Sequence, residues 1–166
     1  MIDTNDASPV LNSRAPRRST KPKVTSTKRG GLAKGKKRKG VKVDRVFSIA
    51  KTSPYDEKEW DLRTAEITDE AGNIIFKQEN VEVPTDWSQL ATKVVVSKYF
   101  YGEQGTPERE TSVRQLIHRV ARTIADWGIK DGYFSKKDGG IFYEELSWLC
   151  LNQHGAFNSP VWFNVG

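Results

Sequence analysis

Hydrophobic residues are unevenly placed along this chain. After Leu11 there is almost no large hydrophobe before about Lys42 apart from Leu32, whereas patterned apolar positions recur from Val43 onward. Arg45 to Ile49 alternates weakly and is followed by a turn signal at Ser53-Pro54-Tyr55-Asp56. Trp60 to Thr68 alternates with the period of a strand, placing Trp60, Leu62, Thr64 and Glu66 on one face and Asp61, Arg63, Ala65 and Ile67 on the other. Neither face is cleanly apolar. Asp69 to Asn73 supplies a turn, and Ile74 to Val83 forms a second strand, so a hairpin closed by Pro84 is expected.

Helical periods follow. Trp87 to Tyr101 predicts a helix with Leu90, Val94, Val95 and Phe100 near one stripe, although the run Val94-Val95-Val96 lowers its propensity. The second helix is clearer, with Thr106 as N-cap, Pro107 at the first helical position and Gly128 at the close. Val113, Leu116, Ile117, Val120, Ala121, Ile124 and Trp127 are spaced by threes and fours, as a buried stripe requires. A third helix starts after Asp138 and carries Phe142, Leu146, Leu149, Cys150 and Gln153 on one face. Beyond it, Asn152 to Gly166 leaves the helix, turns at Gly155 and Asn158-Ser159-Pro160, and is expected to resume as a short apolar strand.

Charge changes this picture at one end. Residues 1–45 hold 14 of the 27 Lys and Arg against three of the 21 acids, a net +11, which leaves −5 for the remainder. The sequence pI of 9.4 therefore describes an appendage. Residues 1–42 cannot bury enough surface to offset their ordering entropy and are expected to be a disordered Lys/Arg-rich tail, with residues 43–166 forming one folded domain. Such a tail can attach weakly to nucleic acid through phosphates; the alternative is a merely solubilising segment. With no long apolar run and no secretory core, the chain is expected to be cytoplasmic and without membrane contact.

Candidate chemistry is sparse. Cys150 is the single cysteine and sits among Trp148, Leu149 and Leu151, where a buried, inert thiol is expected rather than a nucleophile. His118 is expected at a solvated or interfacial position, and His154 at a helix end where it caps carbonyls. Asp56, Glu57 and Glu59, like Glu144 and Glu145, look like solvated acidic faces, so no metal site and no catalytic residue is assigned. Gly30 to Gly35 lacks a preceding strand and is no phosphate loop. Asn158 and Ser159 occupy a constrained turn between buried elements.

The segment Ala156-Phe157-Asn158-Ser159-Pro160-Val161-Trp162-Phe163-Asn164-Val165-Gly166 resembles the stretch that enters the barrel in adenosylcobalamin-dependent (class II) ribonucleotide reductases. Trp87 to Thr92, Lys98-Tyr99-Phe100, Gly105 to Leu116 and Asp126 to Phe134 are similar to the same family in order and spacing. The resemblance runs from about Val43 to Gly166. It implies an α+β region, a strand hairpin plus about three helices, leading into the first strand of a ten-stranded α/β barrel that is absent here.

By the same resemblance, the full enzyme converts ribonucleotides, as a ribonucleoside-diphosphate reductase with the di- or triphosphate form left open, to deoxyribonucleotides for DNA synthesis. It does so by thiyl radical chemistry started by adenosylcobalamin, bound mainly outside this chain. Ser159 matches a residue that contacts the substrate phosphate, and Asn158 is a weaker candidate. The chemistry needs at least three barrel cysteines and this chain has one. It is therefore expected to be a fragment, truncation or half of a split enzyme, inactive alone, with the remainder of the reductase as partner in cis or in trans and a homodimer as one possible assembly. The rival reading is a basic-tailed nucleic-acid-binding protein with a small helical domain.

Overall fold

The computed structural model describes residues 40–166. They form β1 (Trp60–Thr68), β2 (Ile74–Pro84), α1 (Gln89–Lys98), α2 (Val113–Lys130), α3 (Lys136–Leu151) and α4 (Ser159–Asn164). The tail expected to be disordered lies, except for its last three residues, outside the described residues.

β1 and β2 pair antiparallel from Trp60 opposite Pro84 to Thr68 opposite Ile74. In the turn, the Asp69 carboxylate accepts from the Asn73 backbone N–H at 2.8 Å and from its side-chain amide at 2.9 Å, the short-side-chain chemistry that holds tight turns. The register slips between Arg63/Ala65, opposite Val81 and Gln78, so β2 contains an extra residue there. Asn80 takes up the irregularity with a φ of +55°. This bulge explains the imperfect alternation: Phe76 and Gln78 are the half-buried positions before it, and Val81 and Val83 the fully buried ones after it. The parity of the inward face switches, which a strict period of two cannot express.

α1 begins at Ser88, whose hydroxyl accepts from the Ala91 N–H at 3.0 Å. Its buried face is Thr92 and Val96, not the expected Leu90 and Val94 stripe; Leu90 is 72% exposed. The β-branched positions point to the hairpin because α1 lies over β1 and β2.

α2 starts six residues later than Thr106 would place it. Ser112 is the N-cap and forms a capping box with Gln115, whose amide oxygen accepts from the Ser112 N–H at 3.1 Å. Thr106 to Arg109 is instead a turn, and this irregular stretch turns the side chains of Arg109 and Glu110 inward. Val113, Leu116, Ile117, Val120 and Ala121 are buried as expected, but Trp127 is half exposed. The helix also runs past Gly128 to Lys130, because Gly128 serves packing: a Cβ there would lie 2.4 Å from the Phe134 ring, which stacks in turn on Phe142.

α3 begins with Ser135 as N-cap and packs against α2. Glu145 corrects the reading of Glu144 and Glu145 as a solvated pair. It is buried, and its carboxylate accepts from the backbone N–H groups of Val46, Phe47 and Ser48 and from the Ser48 hydroxyl at 2.5 Å. The irregular segment before β1 is thereby tied down on α3, with Phe47 stacked on Trp148 at 5.0 Å. Glu144 pairs with Arg45.

The last correction concerns Val161 to Gly166. This stretch holds a short helix, α4, in place of the expected strand. Asn158 is extended (φ −69°, ψ 160°) and Pro160 falls in the first turn, where a missing N–H costs nothing. Helical spacing buries Trp162 and leaves Phe163 half exposed.

Candidate functional site

Ser159 is placed by a chain of polar contacts that starts in α2. Arg119 lies on α2 next to the buried stripe, and its side chain is 13% exposed. Its guanidinium donates to the carbonyl oxygens of Val165 at 2.6 Å and Trp162 at 3.2 Å, and to that of Tyr99 at 3.3 Å. The first two are groups that a helix end leaves without partners, so one side chain both satisfies and anchors α4. The charge is balanced by Glu110, buried, whose carboxylate accepts from Arg119 Nε at 2.9 Å and from the Tyr101 N–H at 2.7 Å. Gly166 packs against this clamp at a φ of +98°; a Cβ there would sit 2.2 Å from Arg119 Cγ.

On that support the Ser159 hydroxyl lies 3.0 Å from the Tyr99 phenol oxygen. Tyr99 caps α1 and its ring lies against those of Trp162 and Phe163. Trp162 is oriented further by its indole N–H, which donates to the Phe157 carbonyl at 2.9 Å. Asn158 is exposed, and its side chain makes no cap hydrogen bond. The structure therefore brings Ser159 together with Tyr99, Arg119, Glu110 and Trp162. None of the first three partners stood out in the sequence as functional. The one available signal was the Ser112 to Gln115 capping box, which marks Glu110 as lying before the helix.

Beside Tyr99 and Trp162 opens a cavity of about 450 Å³, lined mainly by Trp87, Leu90, Val94, Phe157 and Cys150. Its walls are apolar. Cys150 is buried, and burial pushes its thiol up to about 11, so it stays protonated at neutral pH. Burial also raises the Tyr55 phenol, which donates to Ser147 Oγ at 3.5 Å and is structural. His118 is exposed with Nδ1 2.8 Å from the Tyr143 phenol oxygen, as an interfacial histidine should be. His154 differs from expectation. Its ring stacks on Trp148 at 5.5 Å, and the αL position ending α3 is held by Gln153 at φ +56°. Asp56, Glu57 and Glu59 are exposed.

Among the described residues no group of three or more His, Cys, Asp or Glu could hold a metal ion, and no helix is long and apolar enough to cross a membrane.

A comparison with family models matches residues 61–153 to the class II vitamin B12-dependent ribonucleotide reductase, a span covering β1 through the end of α3. The chain belongs to this family. It is 66% identical over 116 residues, 69% of this chain, to the vitamin B12-dependent ribonucleotide reductase of Rhodopirellula baltica. The proteins of the same name from Streptomyces avermitilis and Bradyrhizobium diazoefficiens are 46% and 34% identical over 83% and 76% of the chain. These matches span 11%, 14% and 13% of the three relatives' own lengths, so this chain corresponds to a small part of each.

The vitamin named by the family is a corrinoid, and among the described residues no cavity is large enough to hold one. The apolar cavity of about 450 Å³ sits low in the range of roughly 300–1,000 Å³ that drug-sized ligands occupy, and a corrin with its nucleotide arm is much larger.

Proposed function

We propose that this chain is the N-terminal module of a ribonucleotide reductase that makes deoxyribonucleotides for DNA synthesis, and that its own contribution is packing plus one substrate contact at Ser159. The reduction itself, by thiyl radical chemistry that adenosylcobalamin initiates, belongs to the remainder of the enzyme, supplied in cis or in trans. Residues outside this chain hold the cofactor.

The observation that carries this reading is the placement of Ser159. Its hydroxyl shares a 3.0 Å hydrogen bond with Tyr99 on a short helix that Arg119 and Glu110 fix in position. A hydroxyl can donate to one oxygen while accepting from another, so Tyr99 can orient Ser159 Oγ with its hydrogen directed at a phosphate oxygen. The site offers no general base, and the single thiol is buried and protonated. Positioning, not bond breaking, is the chemistry these residues support. Inactivity of the isolated chain follows, because the reaction needs several reactive thiols and Cys150 is the only cysteine present. Leu90, 72% exposed at the mouth of the apolar cavity, suits a face covered by the remainder of the reductase.

The test uses the complete reductase. Ser159→Ala should raise KM for the ribonucleotide roughly tenfold, the loss of about 1.4 kcal/mol that one hydrogen bond to a charged group supplies, while kcat changes less. An unchanged KM removes the assignment. Turnover by residues 1–166 alone, with cobalamin and a reductant, would overturn the modular reading.

A further inference from the structure

We propose that the outward face of α1 is a docking surface for an amphipathic helix of the remaining reductase, with apolar side chains set against Leu90 and Val94 and acidic ones against Lys93 and Lys98. This rests on the reading of the chain as one module of a larger enzyme, and it names the surface and the chemistry of the contact. Thr92 and Val96 bury the opposite face of α1 against the hairpin. Leu90 and Val94, four residues apart and so aligned along the helix, remain exposed.

These two side chains border two grooves at once. On one flank lies the apolar cavity described above, walled in part by Trp87 and Phe157. On the other, a cavity of about 380 Å³ runs between α1 and the end of β1, where Ile67 and Thr68 line it. Leu90 and Val94 line both, so they form a ridge with a groove on each side. A ridge at i, i+4 spacing between two grooves is the surface by which one helix receives another. An extended segment fits less well, because α1 satisfies its backbone groups internally and offers a strand no N–H or carbonyl to pair with. Contiguous exposed apolar surface of this kind marks an interaction site.

Charge narrows the choice of partner. Lys93 and Lys98 line the second groove together with Glu66, and among the described residues neither ammonium pairs with a carboxylate. Lys98 suits the C-terminal end of α1 by itself, but Lys93 lies mid-helix, where the helix dipole gives a cation no such role. The rim therefore favours Asp and Glu. The matches span 11% and 14% of the lengths of the Rhodopirellula and Streptomyces avermitilis relatives, so most of each relative lies outside the region that this chain represents and can supply such a helix.

The test replaces Leu90 of the complete reductase with the photo-crosslinking amino acid p-benzoylphenylalanine and maps the product by mass spectrometry. The crosslink should join position 90 to a residue outside 1–166 of the same polypeptide, in a stretch with three-four apolar spacing and Asp or Glu within one turn. Amide hydrogen exchange across residues 91–98 should be at least about tenfold slower in the complete reductase than in residues 1–166 alone. Leu90→Gln with Val94→Gln should remove most of that protection while leaving the urea midpoint of residues 1–166 nearly unmoved, since both side chains are exposed there and Gln suits a helix. Lys93→Glu with Lys98→Glu should reduce the protection about threefold, and more at low salt. The proposal is overturned by a crosslink to residues 1–166 or to a second copy, by no crosslink, by equal exchange of α1 in the two proteins, or by protection that survives either double substitution. Each of these outcomes is compatible with a raised KM for Ser159→Ala, so the docking surface and the substrate contact fail separately.

Discussion

Two irregular stretches of this domain, the segment before β1 and the helix α4, are each tied down by one charged side chain of a longer helix, with opposite chemistry. Glu145 on α3 gathers three successive backbone N–H groups and the Ser48 hydroxyl. Arg119 on α2 gathers three carbonyl oxygens. A carboxylate is acceptor-only and a guanidinium donor-only, so each satisfies the half of the backbone that its segment leaves free. The difference lies in what balances the charge. Arg119 is paired with buried Glu110, whereas Glu145 is held by hydrogen bonds from neutral groups. One clamp therefore depends on a partner charge; the other stands on its own protonation state.

The comparison is broken most easily at Arg119. Arg119→Ala strands Glu110 as a buried, unpaired carboxylate and should destabilise the chain by about 3–5 kcal/mol, read from urea denaturation. Glu145→Ala comes next, at about 2 kcal/mol. The segment it releases is exposed at Val46 and Ile49 and can rehydrate its N–H groups, which limits the cost. If Glu145→Ala proves the more damaging of the two, the distinction drawn from charge pairing fails.

Acid should separate the clamps further. Burial pushes the Glu145 carboxyl up, but the hydrogen bonds from Ser48, Phe47 and Val46 outweigh it and leave its pKa below the ordinary 4.5. The folded state thus prefers the carboxylate, so the stabilisation is fully present above pH 4.5 and is lost as pH falls through the lower folded value. Hydrogen exchange at Val46, Phe47 and Ser48 should rise over that acidic window before exchange in α2 does, and Glu145→Gln should abolish this pH dependence. Simultaneous loss of protection in both regions would contradict it. The smallest expected effect is that of Tyr99→Phe, which removes only the hydroxyl contact to Ser159. It should cost about 1 kcal/mol or less and leave the thermal transition nearly unmoved.

Legibility in the sequence followed how local the physics was. β1, the Asp69 to Asn73 turn, β2 and the buried stripe of α2 could be read directly, since alternation, turn chemistry and a three-four spacing are properties of neighbouring residues. Errors fell where distant groups decided. On α1, hydrophobicity favours Leu90 and Val94 over Thr92, whereas the hairpin below decides which side is buried. Thr106-Pro107 carries the local signal of a helix start, whereas the capping box of Ser112 and Gln115 is where α2 begins. The four apolar or aromatic residues Val161, Trp162, Phe163 and Val165 around Asn164 fit a strand as well as a short helix, and the period alone does not separate them.

For the site, Ser159 could be singled out by resemblance and Cys150 judged inert by its neighbours. Tyr99, Glu110 and Arg119 could not, since their roles exist only once α1, α2 and α4 meet.

What this sequence determined by itself is the order of its elements, its division into a cationic segment and an acidic folded part, and its membership of one reductase family. All three depend on the identity and spacing of residues near one another in the chain. Which face of α1 is buried, that the last apolar run is helical, and that Glu145 and Arg119 act as clamps were decided by the tertiary structure. A charge becomes an anchor only when burial strips it of water and brings it backbone groups from far along the chain.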